Sequence, residues 1–182
     1  MLNTTQLQTL KTHIAADPVM STMPMNGDGD YDIAILLNKT ALPAFQVWSS
    51  NVSTSDVYNT VNWANMTPAT PSASDATGLY RDRALACQGK QFNLQTILQG
   101  RDLIDATKPN LRAGLQDSLT SLPSGVSGAT QGAGWAAVQL ILQRTATVVE
   151  KLFATGTGTT ASPATVVITN ITSQDVNSAR NS

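Results

Sequence analysis

The sequence contains one cysteine, one histidine and one glutamate. A lone Cys87 excludes an intrachain disulfide, so nothing in the cysteine usage points to an oxidising compartment; its expected role is that of a small buried hydrophobe. A lone His13 excludes a histidine-pair metal site and confines any serine–histidine–aspartate arrangement to the first predicted helix. With Glu150 as the only glutamate, paired carboxylates for acid–base work would have to come from aspartates. These fall mostly in predicted loops and caps, without an apolar pocket to separate their pKa values. Charge is scarce as well: Asp, Glu, Lys and Arg make up 13% of the chain, about half of the usual share. No window is more basic than Arg81-Asp82-Arg83, which excludes the clustered cations that a dedicated nucleic-acid binder needs. No stretch approaches the roughly 18 consecutive apolar residues of a membrane span. The opening MLNTTQ has neither a basic region nor an apolar run, so the expectation is a soluble, unprocessed chain made inside the cell, without a membrane partner.

What fills the space is Thr, Ser, Asn, Gln and Ala. The apolar share is 41% and the net charge is −1 over 182 residues, enough for one core plus tails. A polar but nearly uncharged surface lacks the mutual repulsion that keeps small domains apart, which favours life in an assembly. The Asn-x-Ser/Thr matches at Asn3, Asn38, Asn51, Asn65 and Asn170 follow from an Asn- and Thr-rich composition.

The periodicity predicts a mainly α fold, a bundle of five to seven helices with little strand. Its longest element is a central helix over Gly134–Phe153. There Trp135, Val138, Leu142, Thr145, Val149 and Leu152 share one side of a 3.6-residue repeat. Trp135 and Leu142 are expected to be buried, with Leu142→Ala costing about 2–5 kcal/mol at a fully packed site. Upstream, Asn3 and Gln6 form a capping pattern ahead of Leu7, Leu10 and Ile14, and Asp17-Pro18 ends that helix. Phe45, Val47 and Trp48 mark a short extended piece. Ser53 and Asp56 cap a helix over 54–65, and Thr67–Ser74 reads as a linker. One helical pattern runs from Gly78 to Gly89 and another from Asn93 to Ala106, weakened at Gly100. Leu111, Leu115, Leu119 and Leu122 form a further stripe. The expected division is a helical domain over 1–155 and an extended C-terminal arm over 156–182. A flexible Gly-Thr-Pro stretch there leads to a short β-strand, Ala164–Ile171. That strand is too short to stand alone. It pairs either with a neighbouring subunit, through Val166, Val167, Ile168 and Ile171, or back on its own chain. In the first case, deleting Thr160–Ser182 abolishes assembly and leaves the helices intact.

The sequence matches no template for a chemical site in full. Asn26, Asp28, Asp30 and Asp32 place side-chain oxygens at alternate positions like a calcium loop. Counting from Asn26, however, the sixth position is Tyr31 in place of glycine and the twelfth is Leu37 in place of glutamate. The plainer expectation is a flexible turn whose last aspartate caps a short helix over Tyr31–Asn38. Ser124-Gly125-Val126-Ser127-Gly128 falls short of a nucleophile elbow, and Gly156-x-Gly158 follows a helix and lacks a third glycine. The expectation is no catalytic residue, no metal, no cofactor and no enzyme activity.

Four segments, LNTTQLQTLKTHIAADP, PAFQVWSSNVSTSDVYNTVNW, KPNLRAGLQDSL and RTATVVEKLFATGTGTTASPATVVITNITSQDV, are spread along the chain from Leu2 to Val176. They resemble small virion-associated proteins of tailed-phage structural modules. Within that group the chain is similar to the head–tail adaptor, or connector, that rings the portal. The resemblance implies a structural homo-oligomer, a ring in the neck, whose partners are the portal and tail proteins of the virion and which is assembled in the host cytoplasm. It leaves open a tail, fibre-attachment or capsid-decorating role, and it carries over no site residue.

Overall fold

The computed structural model describes residues 2–67, 79–124 and 129–182. In chain order the elements are α1 (Thr4–Ala16), α2 (Gly27–Leu37), β1 (Gln46–Trp48), β2 (Val52–Ser53), α3 (Thr54–Thr60), α4 (Leu79–Leu98), β3 (Leu103–Ile104) and α5 (Pro109–Leu119). They continue with β4 (Leu122–Pro123), β5 (Thr130–Gln131), α6 (Trp135–Ile141), β6 (Gln143–Thr145), α7 (Val148–Phe153) and α8 (Ser173–Arg180). Helix accounts for more than half of the described residues, and the sheets are small, so the fold is mainly α. The chain divides into two compact units, Met1–Trp48 with Arg144–Ser182, and Ser49–Gln143.

The first unit is built on α1, α2, α7 and α8. Asn3 and Gln6 form the expected capping box, each side chain taking the other's backbone N–H at 2.9 Å, and α1 ends at Asp17. Its inward residues Leu10 and Ile14 meet Ile33 and Leu37 of α2, Val149 of α7, and Ile171, Val176 and Ala179 of the C-terminal segment in one buried cluster. Helix α2 begins earlier than expected. Asn26, not a later aspartate, accepts from the Gly29 N–H at 2.9 Å, and this cap carries the helix through Gly27–Leu37.

The central helix is the main correction. It is two helices separated by an extended stretch: α6 stops at Ile141, β6 runs over Gln143–Thr145, and α7 starts at Val148. Thr147 accepts from the Glu150 N–H while the Glu150 carboxylate takes the Thr147 N–H at 2.9 Å, a capping box that starts a new helix. Between the helices, Ala146 gives its N–H to Phe45 and takes that of Ala41. Backbone pairing therefore overrides a periodicity that the β-branched Thr145, Thr147, Val148 and Val149 support only weakly. The apparent single face is two. Leu142 is fully buried in the second unit and Val149 in the first, while Trp135 is only half-buried. The expected cost of Leu142→Ala stands on that burial, and urea unfolding measures it; a loss under half a kcal/mol would put the side chain at the surface.

The C-terminal segment is also corrected. It is no free arm. Thr155 and Thr165 exchange both backbone hydrogen bonds at 2.9 Å, and Thr159 and Ser162 close the turn between them. This hairpin docks on β1 through Gln46, which donates to Gly158 O and accepts from Ala164 N. Gly158 has φ +65, and a Cβ there would lie 2.1 Å from the Phe45 ring, so only glycine fits. The strand expected over Ala164–Ile171 reduces to two isolated bridges, Ala164 with Val47 of β1 and Thr165 with Thr155. Helix α8 follows and packs on α2 and α1.

In the second unit, α4 packs on α5, and α6 on α3 and α5. Two-stranded antiparallel pairs, β2 with β3 and β4 with β5, tie their ends. Where two helices were expected around Gly89, α4 is continuous. One glycine costs about 1 kcal/mol in a helix, less than the burial of Cys87, Leu94 and Leu98 returns. The stop is Gly100, at φ +70. Ser53 caps α3 as expected, but the helix ends at Thr60 and a separate 3-10 turn covers Trp63–Met66. Leu115, Leu119 and Leu122 are fully buried. Most of the Thr67–Ser74 linker, and Gly125–Gly128, lie outside the described residues. One merger, one split and the addition of α8 bring the count to eight α-helices among the described residues.

Candidate functional site

The sequence offered two groups of candidate residues, and the structure disperses both. Of Val166, Val167, Ile168 and Ile171, only Val167 faces solvent, at 66% exposure. Ile171 is a core residue at 2%, Ile168 packs on the same cluster, and Val166 packs against Val47, Ala146 and Ala164. Ile171 is thus held by its own chain and unavailable to a partner. Of the four alternate oxygens, Asn26 is spent on its cap and Asp30 is buried at 3%, while Asp28 and Asp32 point outward from α2. Helical geometry splays residues two apart, so the calcium-like spacing is lost. No group of three or more His, Cys, Asp or Glu side chains gathers among the described residues.

No local sequence pattern links the partners of two polar clamps in the first unit. Asp30 accepts from Arg180 at 2.8 Å and from Asn177 at 2.9 Å, and Arg180 also donates to the carbonyls of Met23 and Pro24. Asn38 closes the other end of the segment, donating to Ile171 O at 2.8 Å and accepting from Ile171 N at 3.1 Å. The second clamp is the fork between Arg144 and Glu150, at 2.7 and 2.5 Å, with Glu150 only 2% exposed. Burial alone would push the Glu150 carboxyl up, but the Arg144 guanidinium and the Thr147 N–H and hydroxyl outweigh it and hold the group below the ordinary glutamate range. The same fork raises Arg144.

A depressed folded-state pKa contributes stability that is present above the unfolded value, about 4.3, and is lost as pH falls through the folded value. Stability of the first unit should therefore decline on acidification below about pH 4, and Glu150→Gln should flatten that limb. Urea midpoints measured across the acid range check it; an unchanged acid limb in the variant would remove Glu150 from the account.

Along α1 and α7 the first unit carries two adjoining grooves of about 560 and 350 Å³ that share His13 and Leu152. The first runs beside Thr5, Thr9, Thr12 and Ala16, and the second beside Ala41, Leu42, Val148 and Lys151. The α1 hydroxyls are partly spent inward, Thr9 on Thr5 O and Thr12 on Gln8 O. His13 Nε2 is buried without a hydrogen-bond partner. Leu42 is 87% exposed at the groove edge, and Lys151 lies 6.0 Å from the centre of the Phe45 ring. The lining holds no carboxylate. In the second unit Cys87 is buried, as expected of a small hydrophobe, and burial pushes its thiol pKa up.

Comparison with protein-family models, curated proteins and solved structures finds no match.

Proposed function

We propose that the chain is a structural subunit of a tailed-phage particle, a head–tail adaptor of the neck that joins portal to tail as a ring of identical copies. The observation that carries this reading is the resemblance of four segments, spread along the chain from Leu2 to Val176, to virion-associated proteins of tailed phages. Its chemistry suits the role. The surface is nearly uncharged, the net charge is −1, and large apolar side chains such as Leu42, Phe92 and Val167 stand exposed, in keeping with contact surfaces in place of a reaction centre. In this reading the helices work as rigid bundles that hold those surfaces in register, and the protein acts without cofactor or metal.

Electron microscopy of particles assembled without this chain tests the proposal. A neck adaptor leaves filled heads and finished tails unjoined. Joined particles lacking only fibres or surface knobs would transfer the protein to the fibre-attachment or capsid-decorating class and overturn the neck assignment.

A further inference from the structure

Two surfaces of the first unit are opposite in charge and alike in apolar content. The groove along α1 and α7 presents Leu42, Val148 and Leu152 with one cation, Lys151, and no acid. Helix α2 presents the reverse. Asp28, Tyr31, Asp32 and Ile35 fall at offsets of 0, 3, 4 and 7, one stripe on a helix, and all four are exposed, Tyr31 at 59% and Ile35 at 42%. Neither Asp28 nor Asp32 has an ion-pair partner among the described residues. We propose that the α2 stripe of one copy seats in the α1–α7 groove of the next, with Tyr31 and Ile35 on the apolar floor and the two carboxylates against Lys151.

The sizes agree. The stripe is about 11 Å long at 1.5 Å per residue, and the α1 side of the groove, from Thr5 to Ala16, is about 16 Å. The stripe is also preformed. Asp30 on the opposite side of α2 is gripped by Arg180 and Asn177, so the helix is fixed in rotation before any partner arrives. Stripe and groove share no residue, so one copy can give its stripe and receive another's at once. Such a head-to-tail contact does not stop at a pair; it closes into a ring or runs on as a filament, according to the rotation between copies. The inference rests on the reading of the chain as a ring subunit and names the surfaces that would build the ring.

Two variants of the full chain test it: Asp28→Lys with Asp32→Lys, which reverses the stripe, and Leu42→Glu with Lys151→Glu, which reverses the groove. Circular dichroism and the thermal midpoint first establish that both remain folded, as expected for positions outside the core. Sedimentation should then show the parent associating, more weakly as salt rises, and each variant alone weakened at least about tenfold. Mixing the two variants should restore association, because an intact stripe again meets an intact groove. A monomeric parent, a variant that associates like the parent, or a mixture that stays monomeric overturns the contact. The functional reading fails separately. If the parent associates through these surfaces and particles lacking the chain still join heads to tails, the contact stands and the neck assignment falls; if the parent is monomeric and unjoined heads accumulate without it, the reverse holds.

Discussion

Removing Thr172–Ser182 is expected to unfold the first unit, not merely to free a tail. Helix α8 brings Val176 and Ala179, both fully buried, to the cluster formed by α1, α2 and α7. Full burial of a valine is worth about 1.5–3 kcal/mol. The truncation also takes Arg180 and Asn177 away from Asp30 and uncovers the face of α2 on which α8 packs. Against a whole-domain stability of about 5–15 kcal/mol, losing this much of the cluster is expected to unfold the unit. Circular dichroism and thermal unfolding of the truncated chain measure it. Loss of the first unit's helical signal and of its cooperative transition is the expected result; a truncated chain with nearly full helicity would restore the segment to the status of an extended arm.

The second large effect concerns the same clamp without shortening the chain. Asp30→Ala should cost about 3–5 kcal/mol. The Arg180 side chain is 8% exposed and the Asp30 side chain 4%, so the guanidinium cannot turn to water when its carboxylate is gone. It keeps the carbonyls of Met23 and Pro24, while Asn177 loses its acceptor. Replacing both partners, Asp30→Ala with Arg180→Leu, should cost less than the two single changes added together, since no charge is then stranded. Urea unfolding of the two singles and the double gives the coupling. A single-variant loss below about 1 kcal/mol, as at an exposed pair, would place the clamp at the surface.

Local signals in this sequence were reliable where the chain itself supplies both partners. The Asn3–Gln6 box and the Ser53 cap follow from side chains three residues from the groups they satisfy, and the end of α1 at Asp17 from the proline that comes next. The failures came where distant backbone competes. Residues 142–147 keep a helical apolar period, yet Ala146 bonds to Ala41 and Phe45, a hundred residues upstream. The Thr147–Glu150 capping pair was written in the sequence all along, hidden inside what looked like one long stripe. The same holds for the C-terminal segment, whose glycines and threonines read as flexible but form a hairpin that depends on β1. The clamp left a fainter trace. Asp30 lies three residues before Ile33 and seven before Leu37, an acid on the inward face of α2, which demands a buried cation; nothing local says that the cation is Arg180. The groove and the stripe that faces it could be read only in part. Asp28, Tyr31, Asp32 and Ile35 are a visible amphipathic stripe once α2 is known to start at Gly27, whereas the groove joins residues of α1, α7 and the Ala41–Leu42 turn that no pattern links.

The proposal that this chain builds a symmetric ring in the virion is tested most directly by negative-stain electron microscopy of the purified protein at low salt. Closed rings of one size with a central opening are the expected result, lost when Asp28 and Asp32 are both changed to lysine. A field of single, unassociated particles at every concentration and salt would contradict it.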